Sequence, residues 1–245
     1  VIPSTPYDAK GLLKAAIRDE DPVMFFEHKR AYRLIKGEVP DDDYTIEIGK
    51  ADVKREGEDI TVITYGLAVH FALQAAERLE KDGISAHILD LRTIYPLDKD
   101  SIIEAASKTG KVLLVTEDNK EGSIISEVAA IIAENCLFDL DAPIMRLAGP
   151  DVPAMPYAPT MEKFFMMNSE KIIRSFTRDF DNKTIGVIIP LALTGFLLAY
   201  PIILILAYRS HCLVYENAVV GIKTMRNNEK SLQKFVLSYD QIVNV

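Results

Sequence analysis

The sequence predicts an α/β fold: a mainly parallel β-sheet covered by helices on both faces. Three observations carry that expectation. Short apolar runs of strand length recur at Ile60 to Thr64, Ala86 to Leu91, Val112 to Thr116 and Ile144 to Leu147. Segments with helical spacing separate them, at about 67–81, 99–107 and 123–134. The runs are apolar throughout instead of alternating, as strands buried on both faces are.

Taken in order, Val1 and Ile2 read as the end of a strand. Thr5-Pro6 then starts a helix whose apolar positions are Leu12, Leu13, Ala16 and Ile17. Pro22 to Phe26 reads as a compact apolar strand, followed by the strongly charged Glu27 to Arg33. Residues 36–46 hold Gly37, Pro40 and three successive aspartates, a composition without an apolar face that marks a linker between residues 1–35 and a second domain at 47–180. Gly83 and Gly110 follow helices and suit the left-handed conformation that closes them. Pro150, Pro153, Pro156 and Pro159 form a rigid extended stretch before a last helix, expected over Met161 to Phe176 and packing Phe164, Phe165, Ile172 and Ile173.

Residues 181–245 are atypical. Ile185 to Tyr208 carries no charge over 24 residues, long enough for a bilayer core. It is a candidate transmembrane segment, or an apolar C-terminal helix or hairpin broken at Pro190, Gly195 and Pro201. Readthrough or fusion into unrelated sequence ranks first among its explanations, ahead of a membrane anchor and of an oligomer helix. The net charge of −8 is also uneven: from Lys183 onward there are six Lys or Arg against three Asp or Glu, leaving the first 182 residues at −11. An acidic body speaks against nucleic-acid binding and for a basic protein partner. Cys136 and Cys212 lack any CxxC or His-rich companion, so neither a disulfide framework nor a zinc site is indicated, and a cytoplasmic location fits. Cys136 reads as a packed core thiol. The chain starts at Val1 without a signal peptide and is read as a fragment.

The most informative block is Asp90 to Asp98, which joins a strand end, a break at Pro96 and a helix capped by Asp98. With Val115-Thr116-Glu117-Asp118, Leu140-Asp141-Ala142-Pro143 and Pro156-Tyr157-Ala158-Pro159-Thr160, it resembles the C-terminal domain of transketolase-like thiamine enzymes. Within that group the chain is most similar to beta subunits of the decarboxylating component of 2-oxo acid dehydrogenase complexes, in particular the bacterial branched-chain type. A pyruvate or acetoin dehydrogenase beta subunit or another transketolase-like enzyme is the alternative, and a membrane-tethered assembly module or a fusion or readthrough product is the non-enzyme alternative. The resemblance covers about residues 1 to 178.

It implies a three-layer αβα sandwich of five strands, one antiparallel, preceded at 1–35 by the end of a pyrimidine-binding domain. It also implies thiamine diphosphate and magnesium in an intact heterotetramer, held between the alpha subunit and the part of the beta subunit before Val1, where the catalytic glutamate and histidine of the family lie. The fragment itself is then expected to bind no cofactor and to be inactive. The partners implied are an alpha subunit, a second beta subunit and the dihydrolipoyl acyltransferase core. Asp139 and Asp141, on the loop before Pro143, are the candidate interface residues for that core.

No residue is assigned a catalytic, cofactor-binding or metal role. His70 and His87 read as structural histidines, and His28 and His211 have no partner at ligand spacing. Glu117 ends a parallel strand and is expected to cap the helix beginning near Gly122. Asp90 and Arg92 are expected to form an architectural ion pair at a strand end.

Overall fold

The computed structural model describes residues 1–152 and 155–179. A five-stranded sheet lies at its centre, in the order β1-β3-β2-β4-β5, with β1 (Asp52–Arg55), β2 (Ile60–Thr64), β3 (Ala86–Asp90), β4 (Val112–Asn119) and β5 (Met145–Gly149). The pairs β2/β3, β2/β4 and β4/β5 are parallel, and β1 runs antiparallel to β3, with Asp52 opposite Asp90 and Val53 opposite Leu89. The mixed sheet with one antiparallel edge strand is the one expected. β1 was not among the strands read from the residues, because Asp-Val-Lys-Arg has no apolar run to announce it.

Successive side chains of a strand face opposite ways, and here both ways lead into a core. Ile60, Val62, Ile88, Leu113 and Val115 meet α3 (Ala68–Lys81) and α7 (Ser169–Asp179) through Ala72, Ala75, Ala76, Leu79 and Ile172. Ile63, Leu89, Val112 and Leu114 meet α4 (Lys99–Thr109) and α5 (Ile124–Cys136) through Ile102, Ala106, Ile125, Val128 and Ile132. Ala68, Ala72, Ala75 and Ala76, the four alanines that α3 turns to the sheet, let it pack closely. Asp98 caps α4, its carboxylate accepting from the Ser101 amide at 3.3 Å and from the Ala51 amide at 3.1 Å. Gly110 ends α4 at φ 64°, where a Cβ would meet the Asp139 carbonyl at 2.8 Å. Cys136 is buried, and its thiol donates to the Ile132 carbonyl.

Three expectations change. Pro22 to Phe26 is extended but is no strand of the sheet. Its ties are to Val1, whose amino group donates to the Met24 carbonyl and whose carbonyl accepts from the Phe26 amide, both at 2.8 Å. The last helix is two: α6 (Pro159–Phe165) stops and α7 begins at Ser169, because Asn168 accepts from the Lys171 amide at 2.9 Å and the Lys171 ammonium caps the free carbonyls of Phe164, Phe165 and Met166. Ile172 is then core, whereas Phe164 is exposed. In the first helix, α1 (Pro6–Arg18), Leu12 is buried while Leu13 and Ile17 are exposed.

Residues 35–51 run back along α1 as coil. Tyr44 stacks on Tyr7 at 4.6 Å, Asp43 pairs with Lys14 and Arg18, and the Ile46 amide donates to the Gly11 carbonyl. Gly11 permits this approach, since a Cβ there would lie 2.6 Å from Ile46. The apolar segment 185–208 lies outside the described residues. Among the described residues no helix is long and apolar enough to cross a membrane.

Candidate functional site at the C-terminal edge of the sheet

From β2 the chain passes through α3 to β3 on one side, and from β3 through α4 to β4 on the other. The topological switch point therefore falls between the C-terminal ends of β2 and β4, where open α/β sheets form their binding crevices. A cavity of about 200 Å³ lies there, lined by Tyr65 and Gly66 after β2, by Thr116, Glu117 and Asp118 of β4, and by Ile2 and Phe26 to His28 as a roof.

The polar groups of this crevice are tied in two sets. The Tyr65 hydroxyl lies 2.7 Å from Thr116 Oγ1 and donates to Asp118 Oδ2 at 2.5 Å. Burial, reinforced by the Asp118 bond, pushes the phenol pKa up, so Tyr65 stays a neutral donor. The second set joins His28 Nε2 to Glu117 Oε2 at 3.0 Å. The Arg30 amide donates to His28 Nδ1 at 3.2 Å, which places the ring proton on Nε2, facing the carboxylate. The other carboxylate oxygen, Glu117 Oε1, is buried without a hydrogen-bond partner.

Two sequence expectations are corrected by this geometry. Glu117 does not cap the next helix, and His28 does have a partner. The two residues come from segments far apart in the chain, so spacing gave no sign of the pair. His70 is structural as expected, its Nε2 lying 2.7 Å from the Ser4 carbonyl. His87 is buried in β3 beside Glu56, and burial lowers its pKa. His211 lies outside the described residues.

A second polar constellation joins α1 to β1 and β3. Asp8, fully buried, accepts from Arg92 Nη2 at 2.5 Å, Lys54 Nζ at 2.6 Å and the Thr5 hydroxyl at 2.6 Å. Asp52 pairs with Lys54 at 2.7 Å and with Arg92 at 2.9 Å. The expected Asp90 to Arg92 ion pair does not form. Asp90 accepts from the Arg92 backbone amide and from Ser4 Oγ, while the guanidinium turns to Asp8 and Asp52 from a residue at φ 55°. Burial drives the Asp90 pKa up to about 6 against the pull of Ser4, Lys54 and the Arg92 amide. Burial also acts upward on Asp8, but the hydrogen bonds from Lys54 and Thr5 and the charges of Lys54 and Arg92 hold it below the usual carboxylate value. Apart from Arg92 Nε, which is buried without a hydrogen-bond partner, these groups satisfy one another, and together they fasten α1.

The candidate interface residues lie at the end of α5. Asp139 accepts from the Ser107 hydroxyl at 2.8 Å, and the Asp141 amide donates to the Gly110 carbonyl at 2.7 Å. Beside them Leu137 and Phe138 are exposed, Phe138 at 99%. The sequence points to the two acids and not to the apolar pair, because nothing local distinguishes an exposed Leu or Phe from a core one.

Among the described residues no group of three or more His, Cys, Asp or Glu side chains is placed to hold a metal ion. At the switch point Glu117 and Asp118 present carboxylates where a diphosphate needs donors and cations. The residues present do not fit a thiamine diphosphate and magnesium site.

The family model for the C-terminal domain of transketolase matches residues 49–172. The chain is 86% identical over 172 residues to the 2-oxoisovalerate dehydrogenase subunit beta of Bacillus subtilis, covering 70% of this chain and 53% of that protein. It is 51% identical over 175 residues to the pyruvate dehydrogenase E1 component subunit beta of the same organism, covering 71% and 53%. The chain thus spans about half the length of these curated relatives. Among solved structures, a split-gene transketolase described as an inactive beta4 tetramer superposes with a TM-score of 0.62 at 24% identity, covering 74% of this chain and 57% of that one, a likeness of fold.

Proposed function

The chain belongs to the transketolase C-terminal domain family, and from that premise we propose that it is the C-terminal part of a beta subunit in the decarboxylating component of a branched-chain 2-oxo acid dehydrogenase. The observation that carries this reading is the step in identity, 86% to the 2-oxoisovalerate dehydrogenase subunit beta against 51% to the pyruvate dehydrogenase counterpart. In this reading the intact enzyme is a cytoplasmic heterotetramer of alpha and beta subunits that passes acyl groups to the lipoyl groups of an acyltransferase core. Thiamine diphosphate with magnesium supplies the carbanion-stabilising chemistry when bound there. Residues 1–35 are read as the end of the preceding domain, 36–46 as the connection, 47–180 as the assembly domain and 181–245 as an atypical tail.

The part played by this chain is assembly. Asp139 and Asp141, with Leu137 and Phe138 exposed between them and the end of α5, are proposed as the docking point for a small basic domain of the acyltransferase. The acidic body supports this through charge complementarity, which steers encounter and fixes orientation. The test mixes the purified chain with the alpha subunit of a branched-chain complex and with the isolated binding domain of its acyltransferase. Retention of the binding domain without decarboxylation is the expected result. Cofactor-dependent turnover, or failure to retain the binding domain, overturns the proposal.

A further inference from the structure

On the outer side of the His28 to Glu117 pair the structure opens into a cleft of about 890 Å³. One rim is α2 (Ala31–Leu34) and the residues leading into it; the other is α6. Lys29, Arg30 and Arg33 stand on the first rim, all exposed, and among the described residues none of their side chains has an ion-pair or hydrogen-bond partner. Glu162 is the acid on the α6 side. Between the rims the wall is apolar, formed by Leu34, Phe165 and Met166. At its inner end sits Glu117, with Oε1 buried and unpartnered.

Three features coincide here. Three unpaired cations in a chain of net charge −8 create a local field opposite to that of the body. An apolar wall lies next to them, a combination that binds molecules with both an ionic head and an apolar body. A buried acceptor without a donor is a group that a ligand can satisfy. Nothing in the proposed assembly role uses any of these features.

We propose that this cleft binds a small amphipathic anion. Its negative head lies on Lys29, Arg30 and Arg33, its apolar body on Leu34, Phe165 and Met166, and a hydrogen-bond donor faces Oε1 of Glu117. The proposal is independent of the branched-chain reading and holds or fails without it.

The probe is 8-anilinonaphthalene-1-sulfonate, which combines a sulfonate, an aromatic body and an N–H donor. Titrated into the full chain, it is expected to show one saturable site, weakened about tenfold or more by the double substitution Arg30→Glu with Arg33→Glu and weakened also by 0.5 M salt, since attraction at an exposed rim is screened. Both residues are exposed, so folding is unaffected, as circular dichroism verifies. 8-Phenoxynaphthalene-1-sulfonate, which keeps the aromatic body but replaces the N–H donor by an ether oxygen, is expected to bind more weakly to the wild type and equally with the probe to Glu117→Leu. A charge-reversed variant that binds like the wild type overturns the site, as does an equal loss in Phe138→Ser, which lies at the end of α5. A probe difference that survives in Glu117→Leu overturns the role of that acceptor.

Discussion

Residues 1–48 and the sheet domain at 49–172 are held in place by different physics. The sheet domain buries apolar side chains on both faces, with Ile88, Leu113 and Leu114 at zero exposure. The preceding segment buries Leu12 but exposes Leu13, Ile17, Met24, Phe26, Tyr32 and Leu34, and its firmest anchor is the buried carboxylate of Asp8 between Lys54 and Arg92. Apolar burial is non-directional and tolerates small displacements. An ion-pair seam does not, because losing one partner leaves the others desolvated and unpaired. The first region is therefore expected to open separately from the second, and to do so all at once.

The largest effect expected is that of Asp8→Ala. It removes the buried carboxylate that Lys54 and Arg92 share, leaves both cations to the more exposed Asp52, and costs about 4 kcal/mol of α1 docking. Amide hydrogen exchange is the measurement: α1 amides should exchange about 10³-fold faster while β2 and β4 amides keep their protection. Equal acceleration everywhere would show that the two regions form one cooperative unit. The converse change is Ile88→Ala, which opens a cavity facing α3 and is expected to cost about 3 kcal/mol. In urea both regions should then lose stability together, since the seam has no sheet to dock on once the sheet unfolds.

Acidity sharpens the comparison inside the seam itself. Asp90 has a folded-state pKa of about 6, raised from 3.8 by burial, so the folded protein holds its proton more tightly than the unfolded chain. The stability this gives is fully present below pH 3.8 and is lost as the pH rises through about 6. Asp8 has the opposite sign: its pKa is lowered, so its contribution is present above the unfolded value and is lost as the pH falls through the folded one. Asp90→Asn removes the first effect alone. Its stability relative to the wild type should rise by about 2 to 3 kcal/mol between pH 3.5 and pH 8, read from urea midpoints, and a flat difference across that range would show that Asp90 keeps an ordinary carboxylate pKa.

Most of the sheet domain was legible in the sequence because its signals are local. β2, β3 and β4 are apolar runs, Asp98 is a side-chain cap, and Gly110 is the residue that a left-handed helix end selects. What escaped depends on partners distant in sequence. β1 is polar because Asp52 and Lys54 serve the seam, and that purpose is invisible until Asp8 and Arg92 arrive beside them. Arg92 reads as a partner for its neighbour Asp90, yet its left-handed backbone aims the guanidinium elsewhere. The break between α6 and α7 rests on Asn168 and on one lysine reaching back over three carbonyls. Neither His28 nor Glu117 carries a local sign of the other, and only the fold brings them to 3.0 Å.

The smallest effect on stability is expected at Phe138, and it separates folding from assembly. A side chain exposed at 99% contributes almost no buried area, so Phe138→Ser should change the unfolding free energy by less than about 0.5 kcal/mol. If the end of α5 is a docking point, the same substitution should still weaken retention of a basic partner domain, and combining it with Asp139→Asn and Asp141→Asn should weaken it further. Asp139 also accepts from Ser107, so its replacement carries a small structural cost that Phe138→Ser does not. The serine variant is the cleaner probe for that reason: a partner bound with unchanged affinity would place the docking surface elsewhere on the domain, and a change in stability would mean that Phe138 packs against something in the folded chain.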